Sequence, residues 1–164
     1  MSDFYTEQLV KRKTPITSRM LQLLLILVTI ASAGAFFIMP FLILIPVVLA
    51  IVDILIFRSM DIEYEYLYVN GTLQIDKIMA KSRRKTILEM NVNDLEVLAP
   101  QATAELRPFQ GIKAKNYGSR CADSGIYEMI YIQGGTKKRI IFEPNSVIIN
   151  GMKMLAPRKV FQQN

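Results

Sequence analysis

Hydrophobic residues are concentrated in one long zone near the start of the chain. From Met20 to Phe57 there is no Lys, Arg or Glu, and Asp53 is the single acidic residue. These 38 residues would form a helix about 57 Å long, roughly twice the thickness of a hydrocarbon core. The length therefore predicts two transmembrane helices, at about 20–38 and 41–57. The reversal is expected at Met39-Pro40, since proline disfavours helical geometry at the residue before it.

A second interpretation of the same region is a cleavable export signal. Lys11-Arg12-Lys13, an apolar run and Ala31-Ser32-Ala33 have that layout. Another apolar run follows at once, however, and leaves no exported segment. The small residues from Ala31 to Ala35 are also typical of helices that approach closely in a membrane. We therefore favour a packed helical hairpin.

Beyond Arg58 the pattern changes to alternating apolar and polar positions. Residues 62–69 and 72–79 are rich in β-forming residues and flank Asn70-Gly71, a strong signal for a two-residue hairpin turn. Gly134-Gly135 predicts a second hairpin, between residues 126–133 and 136–142. Further strands are predicted at 85–90, 95–98 and 112–117, and a helix at 144–155. The expected fold class is α+β: a two-helix transmembrane hairpin followed by a mostly antiparallel seven-stranded sandwich or barrel with a C-terminal helix.

The positions of Lys and Arg predict the orientation of this hairpin. Lys11, Arg12, Lys13 and Arg19 precede the first apolar helix, Arg58 follows the second, and the reversal carries no cation. By the positive-inside rule both termini are cytoplasmic, in a multi-pass protein of the cell membrane. Residues 1–19 form a cytoplasmic N-terminal segment, 20–57 the two spans and 58–164 a cytoplasmic domain. For the N-terminal segment two interpretations are open: it lies on the headgroup surface, or it is a frayed terminus.

Composition excludes several classes of function. The chain has no histidine, so imidazole bases and histidine-ligated metals are excluded, and no cofactor or metal site is predicted. Cys121 is the only cysteine and has no neighbouring base, which favours an unreactive thiol in a reducing compartment. The net charge of +6 is modest and the signs alternate, unlike a nucleic-acid-binding face. We expect no enzymatic activity.

The first predicted strand carries acids on one face and aromatic residues on the other. Glu63 and Glu65 superficially resemble an acid/base pair, but the solvent-facing side of the strand is the favoured interpretation. Three tyrosines occupy the opposite face: Tyr64, Tyr66 and Tyr68. We expect them to pack in the core, with a peptide-binding groove as the alternative if this strand is an open edge.

Two basic turns are candidate contact sites. The first contains four cations and is expected to return to the membrane-proximal end of the domain: Lys81, Arg83, Arg84 and Lys85. Each charge would contribute about 1 kcal/mol beside an anionic leaflet. Docking against anionic headgroups or an acidic partner and a merely solvated turn are both open. The second turn contains Lys137, Lys138 and Arg139, and a solvated turn is favoured there.

Asp53 is the one ionisable residue within the predicted spans. Intramembrane carboxylates are functional candidates by default. Asp53 lies four residues before Phe57, about 6 Å from the end of the span, where pairing with Arg58 or Arg19 is feasible. Anchoring or helix pairing is therefore favoured over ion or proton transport.

Several distinctive segments resemble a family of small, uncharacterised membrane proteins of Gram-positive bacteria with a pleckstrin-homology-like (PH-like) cytoplasmic domain. They are SDFYTEQLVKRKTP, EYEYLYVNG, IDKIMAKSRRK, FEPN and MLAPRKVF. The resemblance implies a PH-like fold and no catalytic residues. It also implies a departure, because PH lipid sites use a long loop between the first two strands and the connection at Asn70-Gly71 has two residues.

These observations predict a membrane-anchored, non-enzymatic binding or assembly module. Its expected partners are the lipid bilayer, anionic headgroups, and an unidentified protein partner or a second copy of the chain. The alternative is a small subunit of an oligomeric transport or channel assembly that uses Asp53 and the small residues of the first span.

Overall fold

A computed structural model describes residues 4–34, 40–121 and 125–162. The chain divides into two compact units. The β-rich unit comprises Met1–Lys13, Glu63–Ile78 and Arg84–Asn164, and the helical unit comprises Thr14–Ile62 and Met79–Arg83. The predicted reversal at Met39 and the small residue Ala35 lie outside the described residues.

Two four-stranded sheets form the framework of the β-rich unit. The first has the order β1-β2-β3-β4, made of Tyr5–Lys11, Ile62–Val69, Thr72–Met79 and Arg83–Asn91. The second has the order β5-β7-β8-β6. Its strands are β5 (Leu95–Pro100), β6 (Ala114–Asn116), β7 (Tyr127–Gln133) and β8 (Thr136–Phe142). Strand β6 pairs with β8 in parallel, whereas β5 and β8 both run antiparallel to β7.

Both predicted two-residue hairpin turns are confirmed. Asn70 and Gly71 have φ angles of 46° and 89°, and Gly134 and Gly135 have φ angles of 58° and 75°. Two consecutive positive φ values are the signature of the turn that matches the twist of a β-hairpin. The strands that flank each turn accordingly have the predicted bounds, except that β7 begins at Tyr127, one residue later than predicted.

The core of the unit forms between the two sheets. Tyr66 on β2 and Phe142 on β8 meet edge to face, with ring centroids 5.6 Å apart. Tyr64, Tyr66 and Tyr68 are at most 3% exposed, which confirms the prediction that they pack in the core. The Tyr66 hydroxyl donates to the carbonyl of Tyr117 at 2.7 Å, so its polar atom is satisfied inside the core.

A C-terminal helix, α3 (Ser146–Leu155), packs its apolar face against the β-rich unit. The Asn145 side chain caps it by accepting a hydrogen bond from the Ile148 amide at 2.9 Å. The close approach of α3 to the rings of Phe4 and Tyr68 requires glycine at position 151, because a Cβ there would lie 2.6 Å from a carbon of each ring.

The helical unit contains α1 (Ile16–Gly34) and α2 (Leu44–Met60), and a short 3-10 helix, Pro40–Ile43, leads into α2. Gln22 bonds to Met60 and Thr29 to Asp53, so the two helices are antiparallel neighbours. Among the described residues, α1 alone is long and apolar enough to be a candidate span, a weak indication of membrane association. The helices begin about three to four residues from the predicted starts at 20 and 41.

The N-terminal segment is not a frayed end, which was one of the two interpretations that the sequence left open. Tyr5–Lys11 forms β1, an edge strand of the first sheet, and pairs antiparallel with β2 from Tyr5↔Val69 to Lys11↔Glu63. The described residues therefore contain eight strands, one more than predicted, and the helical unit is inserted between β1 and β2 in the sequence.

This extra strand also corrects the interpretation of β2. Because β1 and β3 flank it, β2 is not an open edge. Glu63 and Glu65 are 9% and 4% exposed, so they do not form a solvent-facing side. Neighbouring strands on both sides shield these carboxylates, and Arg84 forms an ion pair with Glu65.

Candidate functional site

The turn between β3 and β4 belongs to the helical unit and lies beside the end of α2. The amide of Ala80 donates to the carbonyl of Asp61 at 2.9 Å, one residue beyond that helix. Ala80 and Lys81 have φ angles of 51° and 56°, a left-handed conformation that costs residues with a Cβ about 1–2 kcal/mol each. The contact with α2 and the closure of the hairpin hold this turn in place.

A cleft of about 290 Å³ lies between this turn and the last two turns of α2. Its polar lining comes from Arg58, Ser59, Ser82 and Arg83, and its apolar lining includes Leu55 and Met79. Among the described residues, no acidic side chain lines it. We call it the basic cleft.

A second depression of about 420 Å³ adjoins the basic cleft and shares Arg58, Ala80 and Ser82 with it. Lys81 and Asp61 contribute one charge of each sign there. Attraction for an anion is therefore strongest in the basic cleft itself, where two guanidinium groups meet no carboxylate from the part of the chain that the structure describes.

The four cations of the first basic turn differ in their contacts. Lys81, Arg83 and Lys85 are exposed and form no ion pair within the described part of the chain. Arg84 forms an ion pair with Glu65 and lies 3.7 Å from Asp76. Since those carboxylates are 5% and 2% exposed, Arg84 neutralises buried acids of the first sheet.

The sequence analysis did not identify the group of acids beside Arg84, which comprises Glu65, Asp76 and the neighbouring Glu7. Burial raises the pKa of Glu65, and a hydrogen bond with Glu7 raises it further. The Tyr5 hydroxyl donates to Glu7 at 2.8 Å and lowers the pKa of Glu7. Glu7 lies on β1, and only the pairing of β1 with β2 brings it near Glu65.

The cations of the second basic turn are all engaged within the β-rich unit. Arg139 pairs with Glu128 at 2.6 Å and is only 15% exposed. The Lys137 ammonium lies 3.1 Å from Glu96, and Lys138 donates to Gln133 at 2.6 Å. Lys137 and Lys138 are exposed as a solvated turn requires, and these contacts within the unit do not point to a docking surface.

The carboxylate of Asp53 is held inside the helical unit. Thr29 Oγ1 donates to Asp53 Oδ2 at 2.6 Å, and the aspartate is 7% exposed. The partner is therefore a hydroxyl of α1 and neither Arg19 nor Arg58, the partners that the sequence suggested. This contact supports helix pairing.

Chemical candidates outside the basic cleft have little support. Within 4–34, 40–121 and 125–162, no three carboxylate or thiol side chains come together as a metal site. Cys121 is partly exposed, and its amide donates to Ser119 Oγ at 3.0 Å. The neighbouring carboxylate, Glu143, accepts from the Ser119 hydroxyl at 2.8 Å, a contact that ties a loop together.

Comparison with protein-family models gives a match over nearly the whole chain. The model of a family described as a bacterial PH-like domain, DUF6106, matches residues 2–162. No curated protein matches the chain, and no solved structure matches it. The match covers both units, so the helical insertion lies within the region that the family model describes.

Proposed function

The chain belongs to the bacterial PH-like family DUF6106, and from this membership we propose that it is a membrane-anchored, non-enzymatic binding module. Its helical unit crosses the membrane twice, both termini are cytoplasmic, and the PH-like domain meets the inner leaflet through the first basic turn. The domain is then held where it can sense that leaflet or recruit a protein partner.

The register of β1 against β2 carries the proposal of two spans. Lys11 and Glu63 are Cα partners in this pairing, although one precedes α1 and the other follows α2. Because the two positions are adjacent, the chain between them leaves and returns on one side of any bilayer. An inserted segment of this kind crosses an even number of times. If α1 spans, α2 must make the return.

Helix lengths are compatible with this return. Helix α1 has 19 residues and α2 has 17, which give about 28 and 26 Å at 1.5 Å per residue. The four-residue 3-10 helix before α2 adds about 8 Å. Both segments thus approach the roughly 30 Å of a hydrocarbon core. Most large apolar side chains on both helices are exposed, as expected for surfaces that face lipid.

The basic turn supports contact with the inner leaflet. It lies at the end of α2, where Arg58 marks the boundary between apolar and charged residues. Two exposed cations there, Lys81 and Arg83, would each gain about 1 kcal/mol beside an anionic surface. The third exposed cation of the predicted turn, Lys85, lies on β4 in the β-rich unit. The Thr29–Asp53 contact within the hairpin supports an anchoring role over the alternative of a transport subunit.

Accessibility of engineered cysteines to an impermeant maleimide tests the topology. On a Cys121→Ser background, Phe37→Cys probes the connection between the helices and Lys115→Cys probes the domain. In intact cells only the Phe37→Cys protein should be labelled, and the Lys115→Cys protein should react after permeabilisation. Labelling of Lys115→Cys in intact cells would refute the orientation. Protection of both sites until permeabilisation would refute the two spans.

A further inference from the structure

We infer that the basic cleft binds the phosphate group of an anionic membrane lipid. The inference rests on the proposed membrane anchoring and assigns a ligand class to one site within it. The phosphate would lie between Arg58 and Arg83, with the hydroxyl of Ser82 as a neighbouring donor and the glycerol end toward Leu55 and Met79. The Ser59 hydroxyl also lines the cleft, but it donates its proton to the carbonyl of Ile56 at 2.7 Å.

The charge distribution around the cleft is the first observation in favour. Arg58 and Arg83 line the same 290 Å³ space, and neither forms an ion pair within the described residues. By contrast, Arg84 and Arg139 each neutralise a buried carboxylate. Two uncompensated guanidinium groups repel one another, and an anion between them removes that repulsion. Guanidinium groups also bind phosphate oxygens in a bidentate manner.

The apolar lining indicates an amphiphile rather than a free ion. Leu55 precedes Arg58 by three residues on α2, which places it about 4.5 Å deeper along the helix axis. Met79 contributes a second apolar side chain from the end of β3. In a membrane lipid the phosphate likewise lies at the surface and the glycerol–acyl region lies deeper, which matches the order of Arg58 and Leu55 along α2. Inorganic phosphate would leave the apolar side of the cleft unused.

Two features oppose anion binding and limit its strength. The carbonyl groups at the C-terminal end of α2 carry partial negative charge, which disfavours an anion. Asp61 lines the adjoining depression and adds a formal negative charge nearby. Attraction must therefore come from the two arginines, and removing them should abolish selective binding.

Native mass spectrometry of the full chain in detergent tests the inference. The protein is titrated with dioleoyl-phosphatidylglycerol, with dioleoyl-phosphatidylcholine and with inorganic phosphate, and bound lipid is counted. Phosphatidylglycerol should bind the wild type, and Arg58→Gln/Arg83→Gln should weaken that binding at least about tenfold. The matched control Arg107→Gln/Arg158→Gln removes two exposed arginines of the β-rich unit and should leave the affinity unchanged.

Each other result overturns the inference in a defined way. Equal phosphatidylglycerol binding by the wild type and by Arg58→Gln/Arg83→Gln would show that the basic cleft is not the lipid-binding site. An equal loss in the control pair would indicate attraction by net charge alone. Displacement of the lipid by millimolar inorganic phosphate would assign the cleft to a free anion. Equal binding of phosphatidylcholine would remove the selectivity for anionic lipid.

A second variant covers the case in which the double substitution does not fold. Ser82→Asp places a carboxylate in the exposed turn and leaves both arginines present. It should abolish phosphatidylglycerol binding with little change in circular dichroism. The maleimide topology experiment is independent of lipid binding, so failure of the cleft and failure of the membrane anchor can be told apart.

Discussion

Arg84 and Arg83 are adjacent in the sequence, and we predict that they have different roles. Arg84→Gln should destabilise the β-rich unit, because it leaves Glu65 and Asp76 without their cation. Arg83→Gln removes a side chain without an ion pair among the described residues and should change the stability by less than about 0.5 kcal/mol.

The magnitude for Arg84 follows from the unequal burial of the partners. Removing one member of a fully buried ion pair costs about 3–5 kcal/mol, whereas exposed pairs contribute about 0–1 kcal/mol. Here the carboxylates are 5% and 2% exposed, but the arginine is 55% exposed and partly screened by water. We therefore expect a loss of about 2 kcal/mol. For a domain of about 100 residues this corresponds to a decrease in Tm of about 10 °C.

Thermal unfolding of the full chain in detergent, followed by circular dichroism, measures the difference. The double variant Glu65→Gln/Arg84→Gln should recover part of the lost stability, since removing both partners leaves fewer buried charges unpaired than removing one. Equal Tm values for Arg83→Gln and Arg84→Gln would refute the assignment of separate roles. A double variant less stable than Arg84→Gln would refute the ion pair as the cause.

Three further predictions concern the helical hairpin, the buried acids and α3. Thr29→Val should weaken helix pairing by about 0.6–1.7 kcal/mol in a steric-trapping measurement, while Asp53→Asn keeps an acceptor for the threonine and should weaken it less. The raised pKa of Glu65 means that its contribution to stability is lost as pH rises above the ordinary carboxyl range. The pKa of Glu7 is lowered, so its contribution to stability is lost as pH falls below that range. Glu65→Gln and Glu7→Gln should therefore change the slope of Tm against pH in opposite directions. Gly151→Ala should lower the stability by about 1 kcal/mol in chemical denaturation, because steric overlap with two aromatic rings exceeds the gain in helix propensity.

Local signals made part of the fold predictable. The turns at Asn70-Gly71 and Gly134-Gly135 depend on two residues that adopt positive φ, and each lies directly between its two strands. Hairpins of this kind need no information from distant parts of the chain. The positions of the two β-hairpins in the sequence could therefore be predicted to within about one residue.

Strand β1 could not be found in this way, because its partner lies beyond the helical unit. Leu9 pairs with Glu65, and Tyr5 pairs with Val69. Its apolar side chains also give the wrong impression, since Tyr5 and Leu9 are 58% and 57% exposed while Val10 is 8% exposed. Two of these three apolar side chains therefore lie on the exposed face of β1, so the positions of its apolar residues do not indicate which face is buried.

The candidate site was predictable as a location but not as a set of residues. The reversal at Asn70-Gly71 predicted that the second strand of the hairpin returns the first basic turn to the end of the second apolar segment. The amide of Ala80 donates to the carbonyl of Asp61, one residue beyond α2, so the turn lies at that end. Charge alone does not distinguish a paired from an unpaired arginine. From the sequence, Arg58 was a topological signal and a possible partner of Asp53. Its position beside Arg83 depends on the fold of the turn against α2.

Recognition of β1 also changes what the PH-like fold implies about lipid contact. Counted from Tyr5–Lys11, the connection between the first two strands is residues 12–61, which contains both α1 and α2. It is not the two-residue turn at Asn70-Gly71, so the prediction of a two-residue connection between the first two strands was wrong. The region that forms the lipid-contact loop in PH domains is occupied here by the proposed anchor. Headgroup contact would then fall to the β3–β4 turn, which lies against the end of α2 and supplies Arg83 to the basic cleft.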